Sequence, residues 1–363
     1  MKILQVVYNL ASGGAERFAV DLCNELSKNN EVHLLTINDD RLGNNNHYRN
    51  DLSSQVTYHC LGCKKGICLD SIIMLYKAIK RISPDVVHTH TALINIYFPS
   101  LFFRKTKYVH TIHSITEKAC NHLWLLKKID KRLFKRYVQP VAISQVCLDS
   151  YISFFKNDNA ILINNGCPPK QTTEKLEEVK YEIEKYKQND NVPVFIHVAR
   201  YSEAKNQKML FETFLKLREN GYKFLLLVLG ANYKDSGFIH LNNSNDIKII
   251  GEKNNVGDYL AFSDYFVLSS LWEGLPISLI EAMSMGVIPI CTPAGGVVNV
   301  IDDGKNGLLS PDFESESFYN TVNKVFSQDF HINREDTIKH YKRTYTMETC
   351  ANNYLNTYKK ETK

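Results

Sequence analysis

The sequence alternates short apolar runs with segments of helical pattern, and it does so in two separate series. The first series contains KILQVVYNL, EVHLLTI, DVVHTH, KYVHTIH, PVAIS and AILINNG, and the second contains VPVFIHVAR, FLLLVLG, IKIIG, YFVLSS and VIPICT. Short strands that alternate with helices predict a parallel sheet with helices on both faces. We therefore predict an α/β protein in which two Rossmann-like, doubly wound domains face a central cleft. In such sheets ligands bind at the carboxyl ends of the strands.

A charged stretch separates the two series and begins with paired prolines, NNGCPPKQTTEKLEEVKYEIEKYKQNDN. This composition is typical of an interdomain linker with a solvated helix inside it. The predicted organisation is an N-terminal domain over residues 1–168, a linker over 169–191, a C-terminal domain over 192–340 and a final helix over 341–363. We expect the final helix to return to the N-terminal domain.

The composition excludes several classes of protein. With 44% hydrophobic and 23% charged residues, the chain is typical of a soluble globular protein. Its net charge of +5 indicates a basic face for an anionic ligand or a membrane surface, rather than a nucleic-acid binder. We expect neither a secretory signal nor a membrane-spanning helix, because the apolar runs are too short or too interrupted.

The cysteines indicate a reducing compartment rather than a disulfide framework or a metal site. There are nine of them, an odd number scattered along the chain, which fits reduced thiols in a cytoplasm. Cys60, Cys63 and Cys68 have one metal-like gap but no clear fourth ligand. Incidental loop cysteines are the better interpretation of this cluster.

Glycines and cations follow two of the predicted strands. Gly13 and Gly14, in SGGAER, come after the first strand and open a helix, where backbone amides can approach a ligand closely. A flexible turn is the alternative interpretation. Arg200 follows the first strand of the second series, and Lys205 comes five residues later, near the start of a helix. Two cations at a strand end suit a diphosphate, although ordinary solvated surface charges would have the same pattern.

Four histidines lie in or just after neighbouring strands: His88, His90, His110 and His113. Since His110 and His113 lie at the end of a first-domain strand, one of them is a candidate to line the cleft, and a structural role is the alternative. The histidines have no partnered carboxylates, and the chain contains no Asp-x-Asp pair. We therefore expect no metal site and no cofactor.

The stretch SSLWEGLPISLIEAMSMG, residues 269–286, predicts a largely buried helix that carries a carboxylate. Pro276 suits the first turn of this helix, and Gly286 suits the position just past its end. Glu281 within the helix and Glu273 in the preceding loop need partners, because a buried carboxylate is costly. Two carboxylates can bind vicinal hydroxyls, so together with the two cations they predict a nucleotide-sugar site. An exposed helix residue and a loop residue are the alternative.

The run FVLSSLWEGLPISLIEAMSMGVIPICTPAGGVVNVIDDGKNGLL resembles the signature of retaining glycosyltransferases with the GT-B fold, family 4 type. Glu273 and Glu281 match the E-x7-E motif of that family. The Gly-Gly turn, the histidine after a mid-domain strand and the arginine and lysine of VARYSEAKNQ occur in the family's order. The resemblance covers nearly the whole chain, and it implies that the N-terminal domain lies on the acceptor side and that the C-terminal domain binds the nucleotide sugar.

The resemblance also implies roles for individual residues. Glu281 would bind the ribose hydroxyls and Glu273 the donor sugar, while His113 would lie near the anomeric carbon. The implied catalytic residues are His113, Glu273, Arg200 and Lys205. The implied donor-binding residues are Gly13, Gly14, Arg200, Lys205, Gly251, Glu252, Lys253, Glu273, Gly274, Leu275, Pro276 and Glu281. Where many members have a charged residue after the paired glycines, this chain has Val297, Val298 and Asn299, so the resemblance implies no sugar or acceptor contact from this loop.

The family's front-face mechanism is the chemistry that the resemblance implies. The departing diphosphate remains beside the anomeric carbon and accepts the proton of the acceptor. Arg200 and Lys205 would stabilise the charge that grows on the leaving group, as a metal does in other transferases. A start with GGAER is typical of bacterial enzymes that build O-antigen, capsule or exopolysaccharide on lipid carriers. UDP-GlcNAc, UDP-GalNAc or UDP-glucose is the expected donor, in preference to GDP-mannose.

Other functions remain open at this point. A nucleotide-sugar epimerase has a similar two-domain fold, and a non-catalytic nucleotide-sugar-binding protein would be a degenerate relative. The presence of both glutamates and both cations argues against degeneration. An NAD enzyme is disfavoured, because ASGGAER is not G-x-G-x-x-G and no acidic residue is placed on a clear second strand end at the expected distance.

The segment HLWLLKKIDKRLFKRYV, residues 122–138, predicts an amphipathic helix with a basic face. Its apolar side is Leu126, Ile129, Leu133, Phe134 and Tyr137, and its basic side is Lys127, Lys128, Lys131, Arg132, Lys135 and Arg136. A surface helix packed on the sheet is one interpretation. The other is docking to anionic lipid, with YFPSLFFRKTKY as a nearby apolar wedge. We therefore expect a cytoplasmic protein that can bind peripherally to the inner face of the membrane.

Overall fold

The computed structural model describes residues 1–41, 45–63, 69–90, 98–119, 124–187, 191–234 and 236–360. The chain divides into two compact units, unit 1 made of Met1–Pro168 with Tyr345–Lys363 and unit 2 made of Pro169–Thr344. Each unit contains one parallel sheet with helices packed against it. This confirms the predicted α/β class with two doubly wound domains.

Unit 1 is built on a sheet with the strand order β3-β2-β1-β4-β5-β6-β7, in which every neighbouring pair is parallel. Its strands are β1 (Lys2–Val7), β2 (Glu31–Asn38), β3 (Val56–Cys63), β4 (Val86–Thr89), β5 (Lys107–Ile112), β6 (Val138–Ala142) and β7 (Ile161–Leu162). The runs quoted above overlap all of these strands except β3. This edge strand buries only Val56 and Cys63, so its sequence carries a weak apolar signal.

The helices of the N-terminal part of unit 1 cover both faces of this sheet. They are α1 (Gly14–Ser27), α2 (Leu69–Ile82), α3 (Thr116–Ala119), α4 (Trp124–Arg136) and α5 (Gln145–Phe155), with 3-10 turns at Arg49–Asp51 and Phe98–Leu101. Helix α5 begins where Oγ of Ser144 accepts the Cys147 N–H at 3.2 Å, and it ends at Lys156 in the left-handed conformation. Cys68, residues 122 and 123 of the predicted basic helix, and Tyr97 of the predicted wedge lie outside the described residues.

Unit 2 is built on a sheet with the strand order β10-β9-β8-β11-β12-β13, again parallel throughout. Its strands are β8 (Val194–Val198), β9 (Leu225–Leu229), β10 (Ile247–Gly251), β11 (Tyr265–Leu268), β12 (Ile288–Cys291) and β13 (Leu308–Leu309). The helices are α6 (Leu176–Tyr186), α7 (Gln207–Glu219), α8 (Val256–Ala261), α9 (Ile277–Ser284), α10 (Val297–Val300), α11 (Ser315–Asn323) and α12 (Arg334–Thr344), with 3-10 turns at Glu203–Lys205, Ile239–Asn243 and Lys324–Phe326.

Residues 169–191, predicted as a linker, belong to unit 2. Helix α6 in this segment packs against α8 and buries Val179 and Ile183, so one side of the predicted solvated helix contacts the core. The segment is also anchored before the helix begins. The backbone N–H and the hydroxyl of Thr173 each donate to the carboxylate of Asp258 at 2.6 Å.

The last helix, α13 (Met347–Lys359), belongs to unit 1, where it packs against α1. Oγ1 of Thr346 accepts the N–H of Thr349 at 3.2 Å and so caps the start of the helix. Tyr354 and Tyr358 are buried against the sheet of unit 1, at 0% and 4% exposure. None of the helices formed by the described residues combines the length and the apolar character needed to cross a bilayer.

Candidate functional site

The sheet of unit 2 has a switch point between β8 and β11. After β8 the chain continues to β9 on one side, and after β11 it continues to β12 on the other side. The loops that follow β8 and β11 therefore diverge, which opens a crevice at the carboxyl ends of these two strands. Backbone and side chains tie the two loops together beneath this crevice. The Leu271 N–H donates to the Ala204 carbonyl at 2.8 Å, and the Ser269 hydroxyl donates to the carbonyls of Lys205 and Asn206 at 3.0 Å.

An ion pair joins the two loops at the switch point. Nζ of Lys205, in the loop after β8, lies 2.5 Å from Oε1 of Glu273, in the loop after β11. The hydroxyl of Ser270 donates to the same carboxylate oxygen at 2.7 Å. The two charged side chains are only 20% and 10% exposed. The predicted sugar-contacting carboxylate and one of the predicted phosphate-binding cations thus lie in direct contact.

Arg200 follows β8 directly and is exposed. Its guanidinium makes no hydrogen bond or ion pair with any residue that the structure describes, whereas its carbonyl accepts from Nε2 of Gln207 at 2.9 Å. The backbone before it packs closely against Gly230, where a Cβ atom would lie 2.0 Å from the Ala199 carbonyl oxygen. The loop holds the Arg200 backbone in place and leaves its charge available to an anion.

The loop that carries Glu273 is held by the paired glycines after β12. Gly295 has φ +53°, and a Cβ atom there would lie 1.8 Å from the carbonyl oxygen of Glu273. The N–H of Gly296 donates to the Gly274 carbonyl at 2.8 Å. Glycine at position 295 is therefore required both by its left-handed conformation and by the close approach of the Glu273 backbone.

Helix α9 begins after Pro276 and places Glu281 on its partly exposed side. The helix is buried as predicted, except that Met285 is half-buried and lies just past its end. Gly286 follows with φ +74°, the left-handed conformation that terminates a helix. Pro276 lacks an N–H, so amide donors at this turn can come only from the residues on either side of it.

The partner of Glu281 is Lys170, which sequence analysis did not identify. Nζ of Lys170 lies 2.8 Å from Oε1 of Glu281, and the two side chains are 23% and 12% exposed. The backbone N–H of Lys170 donates to the Ser284 hydroxyl at 3.0 Å, and that hydroxyl donates to the Glu281 carbonyl at 2.6 Å. The only sequence signal at Lys170 is the pair of prolines before it, which predicted a linker rather than a binding residue.

Three of the residues predicted to bind the donor lie at the end of β10, at Gly251, and in the loop after it, at Glu252 and Lys253. Gly251 has φ +82°, and its carbonyl accepts the N–H of Gly230 at 2.9 Å. Glu252 and Lys253 are exposed. They line a cavity of about 450 Å³ whose other walls include Thr173, Val179 and Tyr259.

The predicted glycines of unit 1 lie at the start of α1. Gly13 is extended, with φ −162°, and its carbonyl accepts the N–H of Arg17 at 3.0 Å. A Cβ atom at Gly14 would meet nothing within 4 Å, and one at Gly13 would meet only the flexible carboxylate of Glu16. Packing among the described residues of unit 1 therefore requires neither glycine.

The four candidate histidines, His88, His90, His110 and His113, differ in their contacts. His110 is buried, bonds Oγ1 of Thr89 at 2.8 Å and stacks on Phe134, so it is a core residue. His113 is half-buried after β5, and its Nε2 lies 3.0 Å from Nδ1 of His90. Burial lowers the pKa of His113 to about 3, so the ring is neutral at physiological pH. Of the two candidates His110 and His113, only His113 is partly accessible.

Within the described residues, no group of three or more histidine, cysteine, aspartate or glutamate side chains is arranged to hold a metal ion. Cys60 is exposed and Cys63 is buried, at the end of β3. The charged side chains that lie after β8 and β11, on α9 and before α6 are cations and carboxylates: Arg200, Lys205, Glu273, Glu281 and Lys170.

Two protein-family models match the chain. The model for Glycosyltransferase Family 4 matches residues 12–171, and the model for glycosyl transferases group 1 matches residues 178–344. The capsular polysaccharide biosynthesis glycosyltransferase CapH of Staphylococcus aureus is 25% identical over 93% of this chain and 94% of its own length. A UDP-Gal:α-D-GlcNAc-diphosphoundecaprenol α-1,3-galactosyltransferase of Escherichia coli is 26% identical over 71% of this chain and 70% of its own.

Solved structures have the same fold. A glycosyltransferase from Rickettsia africae superposes with a TM-score of 0.80 at 20% identity, covering 98% of this chain and 97% of that one. HepE of Anabaena, solved in complex with UDP and glucose, superposes with a TM-score of 0.79 at 17% identity, covering 98% and 99%.

Proposed function

Because the chain belongs to the GT-B glycosyltransferases of the family 4 type, we propose that it is a retaining enzyme that uses a UDP-sugar and a lipid-linked acceptor. The protein is a glycosyltransferase that acts on nucleotide sugars in bacterial polysaccharide biosynthesis. The group transferred in our proposal is a hexosyl or N-acetylhexosaminyl group. The observation that carries the proposal is that both carboxylates of the E-x7-E motif are held by lysines in unit 2.

The charges of unit 2 support a nucleotide diphosphate as the ligand. Three cations and two carboxylates leave an excess of positive charge, which suits a doubly charged diphosphate. Arg200, whose guanidinium is unpaired among the described residues, and Lys205 bind the diphosphate in this proposal. Glu281 accepts hydrogen bonds from the ribose hydroxyls and Glu273 from the sugar, because a carboxylate oxygen is an acceptor only.

In the proposed reaction, the bond between the anomeric carbon and the phosphate oxygen breaks as the acceptor oxygen bonds to the same face of that carbon. The proton of the acceptor hydroxyl passes to the departing diphosphate. Negative charge grows on the leaving group, and preorganised cations stabilise it most effectively where water is excluded. The low exposure of Lys205 fits this role, since partial burial strengthens its interaction with an anion. His113 contacts the sugar near the reacting carbon in this proposal, and no metal is required.

The names of relatives support the choice of donor and acceptor. The E. coli relative uses UDP-Gal, and HepE was solved with UDP-glucose. Relatives from E. coli and Campylobacter jejuni act on sugars attached to diphosphoundecaprenol. We infer a UDP-linked donor, with UDP-GlcNAc, UDP-GalNAc and UDP-glucose ahead of GDP-mannose, and a glycan acceptor on a lipid carrier.

Helix α4 supports a further part of the proposal, peripheral docking to an anionic membrane. Leu133 and Phe134 are buried at 3% exposure, so the apolar stripe packs on unit 1. Four cations of the other face are exposed: Lys128, Arg132, Lys135 and Arg136. Ile129 is 37% exposed and Phe102, in the predicted wedge, is 59% exposed. Each cation near an anionic surface adds about 1 kcal/mol, so four of them suffice for salt-sensitive binding.

The donor is tested with a panel of nucleotide sugars. A UDP-sugar that binds the folded state should raise the melting temperature by mass action, and GDP-mannose should not. The same donor is then incubated with and without a lipid-linked glycan. Release of UDP only in the presence of the glycan supports a transferase, whereas conversion of the donor sugar without an acceptor would identify an epimerase. Retention is decided by the anomeric configuration of the product.

The membrane proposal is tested separately by sedimentation with vesicles. Binding to anionic but not to neutral vesicles, weakening as salt rises, is expected. A variant with Lys128, Arg132, Lys135 and Arg136 changed to glutamine should lose this binding. Equal binding to neutral vesicles, or no binding at low salt, would contradict it.

A further inference from the structure

A continuous chain of hydrogen bonds runs from the C-terminal helix α13 to His113, entirely within unit 1. Nε2 of Gln5 donates to the hydroxyl of Tyr358 at 3.2 Å. Oε1 of Gln5 lies 2.7 Å from Nε2 of His90, and Nδ1 of His90 lies 3.0 Å from Nε2 of His113. Gln5, His90 and Tyr358 are 0%, 6% and 4% exposed, so water has little access to these bonds.

The direction of each bond follows from the chemistry of the groups. Because Gln5 presents its carbonyl oxygen to His90, Nε2 of His90 must carry the proton and donate. Burial lowers the pKa of His90 well below its usual value and that of His113 to about 3, so both rings are neutral. Nδ1 of a neutral His90 can then only accept. His113 therefore donates from Nε2, and its own Nδ1 is unprotonated.

A side branch holds the amide of Gln5 in this orientation. The hydroxyl of Tyr358 accepts from Gln5 and gives its single proton to Nδ1 of His88, which lies 2.7 Å away. Nε2 of His88 then donates to Oγ1 of Thr111 at 2.7 Å, and that hydroxyl bonds Tyr354 at 2.7 Å. If the side-chain amide of Gln5 were rotated by 180°, its carbonyl oxygen would face Tyr358. Every donor and acceptor in the branch would then have to exchange roles.

Nδ1 of His113 has no hydrogen-bond partner among the residues that the structure describes. Phe18 packs edge-on against the ring, with the ring centroids 5.4 Å apart, and limits its rotation. The ring is thus oriented by Phe18 and His90, while its remaining nitrogen is left as an acceptor.

We propose that Gln5 is a positioning residue for glycosyl transfer: acting through His90, it holds His113 in the tautomer whose Nδ1 accepts a hydrogen bond from a sugar hydroxyl. This inference rests on the proposed function. It assigns a role to α13 as well, because Tyr358 fixes the amide of Gln5 without contacting substrate. Gln5 and Tyr358 are separated by 353 positions in the sequence.

The tautomer is tested on the full-length chain labelled with 15N-histidine. The ring nitrogens of His113 should give one protonated-type signal, from Nε2, and one unprotonated-type signal, from Nδ1. A His113→Asn variant, which lacks these signals, identifies them. A proton on Nδ1 of His113 in the unsubstituted chain would overturn the proposal.

Two substitutions of Gln5 distinguish an effect on the His113 tautomer from an effect on side-chain packing. Gln5→Met keeps the length of the side chain and removes both polar groups, so His113 should show mixed tautomers and kcat/KM should fall about tenfold. Gln5→Glu keeps the acceptor for His90, and it should retain the single tautomer and most of the turnover. If Gln5→Met does not fold, Tyr358→Phe provides the second test. It removes the hydroxyl that holds the Gln5 amide, so the amide can rotate and His113 should show the same mixture of tautomers.

A matched control is Gln139→Met, on strand β6. Its amide donates to the carbonyls of Pro140 and Asn159, and among the described residues it has no hydrogen bond to a histidine. Neither the His113 signals nor the turnover should change. An unchanged single tautomer in both Gln5→Met and Tyr358→Phe, or a mixture of tautomers without loss of turnover, would overturn the proposal. An unsubstituted chain that turns over no nucleotide sugar, yet shows the expected tautomer, would contradict the proposed function and support the tautomer assignment.

Discussion

Nζ of Lys205 lies 2.5 Å from Oε1 of Glu273, so a cation and a carboxylate from the two loops at the switch point neutralise each other. Each of these groups is proposed to bind a different part of the donor. The ion pair can remain while Lys205 turns its other N–H bonds to a phosphate, since an ammonium group has three donors. The pair thus holds both side chains in place before the donor arrives.

Replacing Lys205 with alanine should lower kcat about 100-fold or more, because it removes a preorganised charge that stabilises the leaving group. The melting temperature should change little. Lys208→Ala is the matched control: its side chain is 72% exposed, and its nearest carboxylate, on Glu212, is 3.8 Å away. Steady-state kinetics with the chosen donor measure both variants. Full activity of Lys205→Ala would show that Lys205 takes no part in the reaction.

Activity should survive EDTA. In the proposed mechanism Arg200 and Lys205 supply the positive charge that a divalent metal supplies in other transferases. The measurement compares turnover after dialysis against EDTA with turnover after addition of Mg²⁺ or Mn²⁺. A strict requirement for either ion would mean that the leaving-group charge is stabilised in another way.

Replacing Lys170 with methionine should weaken donor binding about tenfold, because Glu281 then loses the partner that orients its carboxylate. The effect should appear in KM and in the Kd for UDP more than in kcat, since Glu281 is proposed to bind the ribose. Lys170→Arg should restore most of the affinity. Lys180→Met is the control, as the nearest carboxylate to Lys180, on Glu177, is 4.0 Å away on an exposed surface. Equal Kd values for UDP in Lys170→Met and in the unsubstituted chain would show that Lys170 does not orient Glu281 for donor binding.

Gly295→Ala should reduce both stability and activity. A Cβ atom at this position would lie 1.8 Å from the carbonyl oxygen of Glu273, and the residue has φ +53°. Gly304→Ala has the same kind of backbone strain, with φ +76°, but no atom of the described residues lies within 4 Å of the added Cβ. Strained positions cost about 1–3 kcal/mol, so both variants should lose stability, and only Gly295→Ala should also lose turnover. Similar activity losses in both would show that strain alone is responsible.

Stability should fall when the pH is lowered from 7.5 to 5. Burial lowers the pKa of His197 from 6.5 to about 4 and that of His110 to about 3. The unfolded chain therefore binds protons near pH 6.5 that the folded chain does not, and stability that is complete above this pH is lost as the pH falls towards 4. Each such histidine contributes up to about 1.4 kcal/mol per pH unit in this window.

Urea unfolding at several pH values measures this dependence. His197→Gln should make the stability of unit 2 depend less on pH. His240→Gln, at an exposed position, should leave the pH dependence unchanged. A midpoint that is constant or rises between pH 7.5 and 5 would contradict the assignment of these histidines as buried and neutral.

The predicted elements correspond closely to the strands and helices observed, because apolar periodicity is a local property. The run YFVLSS became β11, and the helix expected between Pro276 and Gly286 spans Ile277–Ser284. Strands β3 and β13 were not among the predicted runs. The first is a half-exposed edge strand and the second has two residues, so neither contains a long apolar run.

Two series of alternating strands and helices admit few topologies, so the fold class follows from the sequence. The positions of Glu273, Arg200 and Lys205 after strands, and that of Glu281 in a largely buried helix, identified these residues as candidates. Which of these groups meet depends on the tertiary structure. Lys205 and Glu273 are 68 positions apart, and Gln5 and Tyr358 are 353 apart. Strand order brings such residues together, and no local pattern encodes it. For the same physical reason, Lys170 has the pattern of a linker residue in the sequence and is the ion-pair partner of Glu281 in the fold.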